Sequence, residues 1–280
     1  MDAANSILLN RFFTRNTFRQ LLDDGESKTY TAVIRRYVTD ADSRTNGECI
    51  SEIYQYLQKN YRNEYYYKNT LLNKLLLGGA HSPRTTTALT EVPVGKSKAD
   101  FILINGKAVV YEIKTELDNF DRLEGQLEDY YKAFSRVVVV TSEDNYFEID
   151  RKLKDTPTGI YILTKRGTLS RRKEPEEKLD SLSKSTMFKI LRKAEYESVF
   201  SRLALPLPSV SQFEYYRACK AQFESLDMDI AYQYFVTELK KRARVEIDEY
   251  ASIPLALKFL AYFLELSKND YVKLYDFLRQ

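Results

Sequence analysis

Apolar residues recur along the chain with two different periods, and the change between them divides it into regions. Up to about residue 77 the period is helical: Ile50, Ile53, Tyr54 and Leu57 form one stripe, and Tyr67, Leu71, Leu72, Leu75 and Leu76 another. Gly78 and Gly79 read as the stop after the second stripe. Short β-branched runs follow, "TTTALTEVPV", "ADFILI", "AVVYEIK", "RVVVVTS" and "GIYILTK", separated by turn residues such as Gly95, Asn105 and Gly106. Between the third and fourth runs, Phe120, Leu123, Leu127, Tyr130 and Phe134 predict the buried face of a helix of roughly 16 residues. A strand, a crossover helix and a further strand make a right-handed parallel unit. From Ser170 to about Ser185 the chain is charged and interrupted by Pro175, as a linker would be; helical spacing then returns in "FVTELKKRAR" and "YVKLYDFLRQ". The expectation is an α/β protein with an N-terminal helical segment over 1–60 and a mixed-sheet core over 61–170. A charged linker over 171–185 and a C-terminal all-α domain over 186–280 complete it.

Composition narrows the chemistry more than the fold. The 280 residues suffice for one large domain or two moderate ones. With 43 Lys and Arg against 40 acids, the net charge of +3 is too small to imply a polyanionic partner, so any nucleic-acid surface must come from local clustering. The best local clusters are "LTKRGTLSRRK" and "KKRAR", for which a solvated helix end or linker is the commoner meaning than phosphate tracking. Tyr61, Tyr65, Tyr66 and Tyr67 offer rings for stacking on bases, although half-buried packing is the commoner use. Cys49 and Cys219 are read as core residues, and the single histidine, His81, as a structural or exposed loop residue. That inventory excludes most zinc centres and histidine-based triads. The opening "MDAANSILLNRFF" lacks the basic-then-apolar pattern of a secretory leader. No apolar run approaches about 18 residues. A cytoplasmic protein is expected.

The chemistry concentrates in "VVYEIKTELDNFDRLEGQLEDYYKAF", where Glu112 and Lys114 sit two apart on a strand and so share a face. Asp100 opens the preceding strand. Two carboxylates at one strand edge can hold Mg²⁺, a hard cation that takes oxygen ligands. A lysine beside them can orient the attacking water or balance charge on a phosphoryl transition state.

This set resembles the PD-(D/E)XK nuclease superfamily, in which an acid, a hairpin and then (D/E)-x-K form the site. Asp100 matches the first acid, with Ala99 in place of the usual proline, and Glu112-Ile113-Lys114 match the tripeptide. The order of helix, three strands, helix and strand from about Glu64 to Thr141 is similar to that superfamily's core. The four-residue spacing of Arg122, Gln126 and Tyr130 resembles the Q-x-x-x-Y element of its RecB-like branch. The likeness covers roughly residues 60–165 and extends to small bacterial and prophage members.

The resemblance implies a restriction-endonuclease-like core, with an antiparallel hairpin and a parallel crossover. It also implies Mg²⁺ or Mn²⁺ held by Asp100, Glu112, the Ile113 carbonyl and Glu64 of the first core helix, with Lys114 positioning water. Arg122, Gln126 and Tyr130 would contact substrate or the surroundings of the metal. The implied partner is nucleic acid, DNA ahead of RNA, with the C-terminal helices free to form a homodimer or dock a protein. The competing reading is a catalytically silent nuclease-fold scaffold that binds a protein or nucleic-acid partner.

One geometric condition follows from side-chain alternation. A two-residue turn at Asn105-Gly106 would set Asp100 against Tyr111 and send the two acids to opposite faces. Sharing a metal requires either a three-residue loop pairing Ile104 with Ala108 or a bulge near Asp100.

Overall fold

A computed structural model describes residues 3–77, 85–242, 250 and 252–280. Gly78, Gly79 and His81 lie outside the described residues, as does the end of the "KKRAR" cluster.

A six-stranded mixed sheet, with strands in sequence order, runs through the middle of the protein. The strands are β1 (Thr87–Val94), β2 (Ser97–Asn105), β3 (Lys107–Lys114), β4 (Arg136–Thr141), β5 (Gly159–Leu163) and β6 (Leu169–Lys173). The first three pair antiparallel, β3 to β4 and β4 to β5 pair parallel, and β6 returns antiparallel to β5. The parallel steps are bridged by α6 (Leu123–Tyr131) and α7 (Tyr146–Leu153). The protein is therefore α/β, as the alternating runs predict.

Each face of the sheet closes a separate apolar core. One side buries Phe101, Leu103, Tyr111, Ile113, Val138 and Val140 against the N-terminal helices. These are α1 (Ala3–Phe12), α2 (Arg15–Asp24), α3 (Lys28–Tyr37), α4 (Asn46–Asn60) and α5 (Glu64–Leu71). The other side buries Ile102, Ile104, Ala108, Val110, Val137 and Val139 against α6, α7 and four later helices. Those are α8 (Lys184–Ile190), α9 (Lys193–Arg202), α10 (Gln212–Glu224) and α11 (Met228–Lys240). Strand alternation alone assigns each residue to its core.

Three expectations need correction. Residues 171–173, expected in a linker, are the end of β6, an edge strand whose Ser170, Arg171, Arg172 and Lys173 carry no apolar alternation to betray it. Charge on an edge strand discourages pairing with other chains, and here it also hides the strand from a hydrophobicity pattern. The region 186–280 is not one domain: α8–α11 cover one face of the sheet, whereas α12 (Lys258–Phe263) and α13 (Lys268–Arg279) join the N-terminal helices on the other. Periodicity identifies a helix but not the face it covers. Finally, α6 spans 9 residues rather than the expected length. The segment before it is folded into a turn in which Asp118 Oδ2 accepts from the Thr115 amide and hydroxyl, both at 2.8 Å.

Candidate functional site

The turn between β2 and β3 decides which way the acids face. Ile104 pairs with Ala108 and Phe101 with Tyr111, with Gly106 at φ +72° turning the chain between them. This is the three-residue loop, one of the two arrangements that the geometric condition allows. The pairing ends at Phe101↔Tyr111, one step before Asp100 and Glu112, and Asp100 lies within reach of both strands' neighbours. Asp100 Oδ2 accepts the Ile113 amide at 2.9 Å, which fixes its carboxylate to the neighbouring strand.

Glu112 and Lys114 form a buried pair, with side chains 2% and 11% exposed and 3.1 Å between Oε1 and Nζ. Two residues of α6 close over them. The Tyr130 hydroxyl lies 2.7 Å from Glu112 Oε2 and 2.9 Å from the Lys98 carbonyl, and Lys114 Nζ donates to Gln126 Oε1 at 2.8 Å. Burial raises the Glu112 carboxyl, against the opposing pull of Tyr130 and Lys114. Burial first and the charge of Glu112 second hold Asp100 well above the usual carboxylate range. The Tyr130 hydroxyl is likewise raised by burial and by Glu112, so it stays a donor.

A second group of charges lies on the outer side of Asp100. Glu64, the first residue of α5, and Glu91 of β1 each bring a carboxylate oxygen within 4.8 Å of the others and of Asp100. Glu91 has φ +57°, left-handed backbone inside a strand, and it interrupts the β1–β2 pairing between Thr90↔Phe101 and Val92↔Ala99. Lys68, one turn after Glu64 and 8% exposed, pairs with both Glu64 and Glu91, while Lys98 takes the other Glu91 oxygen. Burial would lower the Lys68 ammonium, but Glu64 and Asp100 outweigh it and raise it. Burial would raise Glu91, and its bonds to Lys68 and Lys98 reverse that and lower it. A cleft of about 490 Å³ opens beside this group, lined in part by Arg15, Asn63, Glu64, Lys68, Glu91 and Asp118.

Of the residues singled out from the sequence, Asp100, Glu112, Ile113, Lys114, Gln126 and Tyr130 come together, with Glu64 at the outer edge. Arg122 does not join them. It sits exposed at the N-terminal boundary of α6, where its side chain makes no hydrogen bond or ion pair among the described residues. Its carbonyl accepts the Gln126 amide at 3.0 Å, so it opens the helix while its side chain lies in solvent. Glu91 and Lys68 were not anticipated. Nothing in the pattern of β1 marks Glu91, because its position depends on left-handed backbone; Lys68 had a signal, the i,i+4 spacing from Glu64.

An all-oxygen donor set of this kind suits Mg²⁺ or Mn²⁺ over softer metals. Glu112 has both oxygens engaged by protein donors, whereas Asp100, Glu64 and Glu91 converge on one point beside the cleft.

Comparison with known proteins gives three findings. The family described as Bacteriophage P4 protein cII matches residues 57–253. Protein cII of Enterobacteria phage P4 is 22% identical over 158 residues, which take in 55% of this chain and 58% of that protein. The chain thus spans less than two thirds of the length of the relative it matches. Among solved structures, the SPO1766 protein of unknown function from Silicibacter pomeroyi is similar at 15% identity and a TM-score of 0.29, covering 42% of this chain and 81% of that one.

Proposed function

The chain belongs to the family of bacteriophage P4 protein cII, and within that family we propose that it is a metal-dependent nuclease with a restriction-endonuclease-like core, hydrolysing phosphodiester bonds in DNA. The observation that carries this reading is the Ile104–Ala108 pairing together with the Asp100–Ile113 bond, which set Asp100 beside the strand whose Glu112 and Lys114 are closed over by Gln126 and Tyr130. The alternation of β-strand side chains would scatter these groups under any odd shift of register. The succession of α5, three antiparallel strands, α6 and β4 also supports it.

In this reading Asp100 and Glu112, with the Ile113 carbonyl and Glu64, hold Mg²⁺ or Mn²⁺. Bound there, the cation supplies Lewis-acid polarisation of the phosphate and a water of lowered pKa. The protein's own groups set the geometry. Lys114 donates toward Gln126 and Glu112, leaving a third N–H to position the attacking water. Tyr130 keeps its proton and fixes the Glu112 carboxylate. Asp100 is anchored through the Ile113 amide, so its carboxylate stays in register with Glu112 as charge develops. DNA as substrate follows from the superfamily resemblance, and the cleft beside Glu64 and Glu91 offers the approach.

Calorimetric titration with Mg²⁺ and Mn²⁺ tests this, comparing wild type with Asp100→Ala and Glu112→Ala, followed by cleavage assays on single-stranded and duplex DNA. The expected result is binding and metal-dependent cleavage in wild type, both lost in Asp100→Ala. Folded wild-type protein that binds neither ion overturns the nuclease and leaves a silent scaffold.

A further inference from the structure

We propose that Lys68 is a resident counter-cation: its ammonium fills the outer acidic position formed by Glu64, Glu91 and Asp100, so that the site takes one divalent ion and not two. The inference rests on the metal-dependent reading above and specifies how that site is loaded.

Three observations carry it. Lys68 is a buried lysine, and a buried ammonium is stable only when opposite charges surround it. It has them in Glu64, 2.5 Å away on the same helix, and in Glu91. Glu91 reaches Lys68 from left-handed backbone in the middle of a strand, a conformation that non-glycine residues adopt at an energetic cost and that persists where surrounding contacts hold it. The helix that carries Lys68 is pinned on both sides. The Tyr65 hydroxyl donates to the Ala256 carbonyl at 2.6 Å, and Asn69 bonds the Leu255 carbonyl and the Phe259 amide, both at 2.9 Å.

Charge balance favours the same conclusion. Four carboxylates, Glu64, Glu91, Asp100 and Glu112, face three ammonium groups, Lys68, Lys98 and Lys114. With all four carboxylates ionised, as metal binding requires, one divalent cation turns a single excess negative charge into a single positive one, suited to an anionic phosphate. A second divalent ion would have to expel Lys68 and leave its ammonium buried without partners, a strongly unfavourable exchange. The lysine thus supplies, at the outer position, the positive charge that a second metal would supply elsewhere.

Mn²⁺ stoichiometry by calorimetry decides the matter, with circular dichroism and a urea midpoint confirming that each variant is folded. Wild type is expected to take up one Mn²⁺ per chain, Lys68→Arg one, and Lys68→Met two. Two ions in wild type overturn the proposal without reference to any variant. Folded Lys68→Met that still binds one ion at wild-type affinity also overturns it. Wild type that binds no Mn²⁺ would instead remove the nuclease reading itself, so the two failures are distinguishable.

Discussion

The inner and outer halves of the acidic site differ in how their charges are held. On the inner half, Glu112 and Lys114 are buried, and the Tyr130 hydroxyl and Gln126 engage the pair with neutral donors and acceptors. On the outer half, Glu64 and Glu91 are 58% and 36% exposed, and their partners are lysines. Asp100 stands between, tied by its Oδ2 to the inner strand and converging with the outer acids. The inner half is a rigid frame that cannot lose a member cheaply; the outer half is a mutable balance of full charges. Removing a charged member should therefore cost stability inside and alter ion loading outside.

The largest effect is expected at the residue the halves share. Asp100→Ala should reduce metal-dependent cleavage by at least about 100-fold, beyond what loss of a group that only supports a metal ligand produces, and steady-state kinetics would measure it. Glu112→Ala should next cost about 3–5 kcal/mol of stability in metal-free protein, because it leaves the Lys114 ammonium buried without its carboxylate. Glu64→Ala should cost less than that, because Glu64 is itself half exposed and Lys68 keeps Glu91 as a partner. Urea denaturation of both variants compares them directly, and equal losses would dissolve the distinction between the halves. Tyr130→Phe should preserve the fold and lower Mn²⁺ affinity by about 10- to 100-fold, through release of the Glu112 carboxylate.

The smallest effect, and the one that separates the halves by sign, is the pH dependence of stability without metal. Burial, and then Glu112, raise Asp100, so between the ordinary carboxylate range and its raised value the folded protein keeps a proton that the unfolded chain has released. Stability then falls as pH rises through that window. Glu91 behaves oppositely. Burial alone would raise it, but Lys68 and Lys98 lower it, so its contribution is present above the ordinary range and is lost as pH falls through the lowered value. Melting temperature against pH should lose the alkaline-side slope in Asp100→Asn and the acid-side slope in Glu91→Gln.

The inner half was legible in the sequence because it is built on regular structure. Strand alternation places Glu112 with Lys114, helical spacing places Gln126 with Tyr130, and the need for a common face left either the Ile104–Ala108 pairing, which is found, or a bulge near Asp100. The outer half was legible only through Glu64, chosen because it shares a helical stripe with Leu71 and Leu75. Glu91 depends on a backbone conformation that residue type does not announce, and Arg122, at the N-terminal boundary of α6, stands exposed apart from the buried pair. At the level of the fold, apolar runs revealed five strands. The sixth escaped because an edge strand exposed to solvent has no reason to alternate. Likewise, α8–α11 and α12–α13 share one helical pattern while covering opposite faces, a difference of packing rather than period.

The way α5 is fastened bears on when the site can exist during synthesis. The helix carrying Glu64 and Lys68 is held by hydrogen bonds to residues 255–259, and the Asn46 side chain at the start of α4 bonds the Phe277 carbonyl, 231 positions later. Among the described residues, the core on that side of the sheet draws on both the first helices and the last. Such long-range closure is slow, and it cannot be completed on the ribosome until residues 255–277 have emerged. The strands bearing Glu91, Asp100 and Glu112 can pair early, but the helix bearing Glu64 and Lys68 is fastened only once residues 255–259 arrive. The outer half of the site is therefore completed only after translation has passed it by more than a hundred residues.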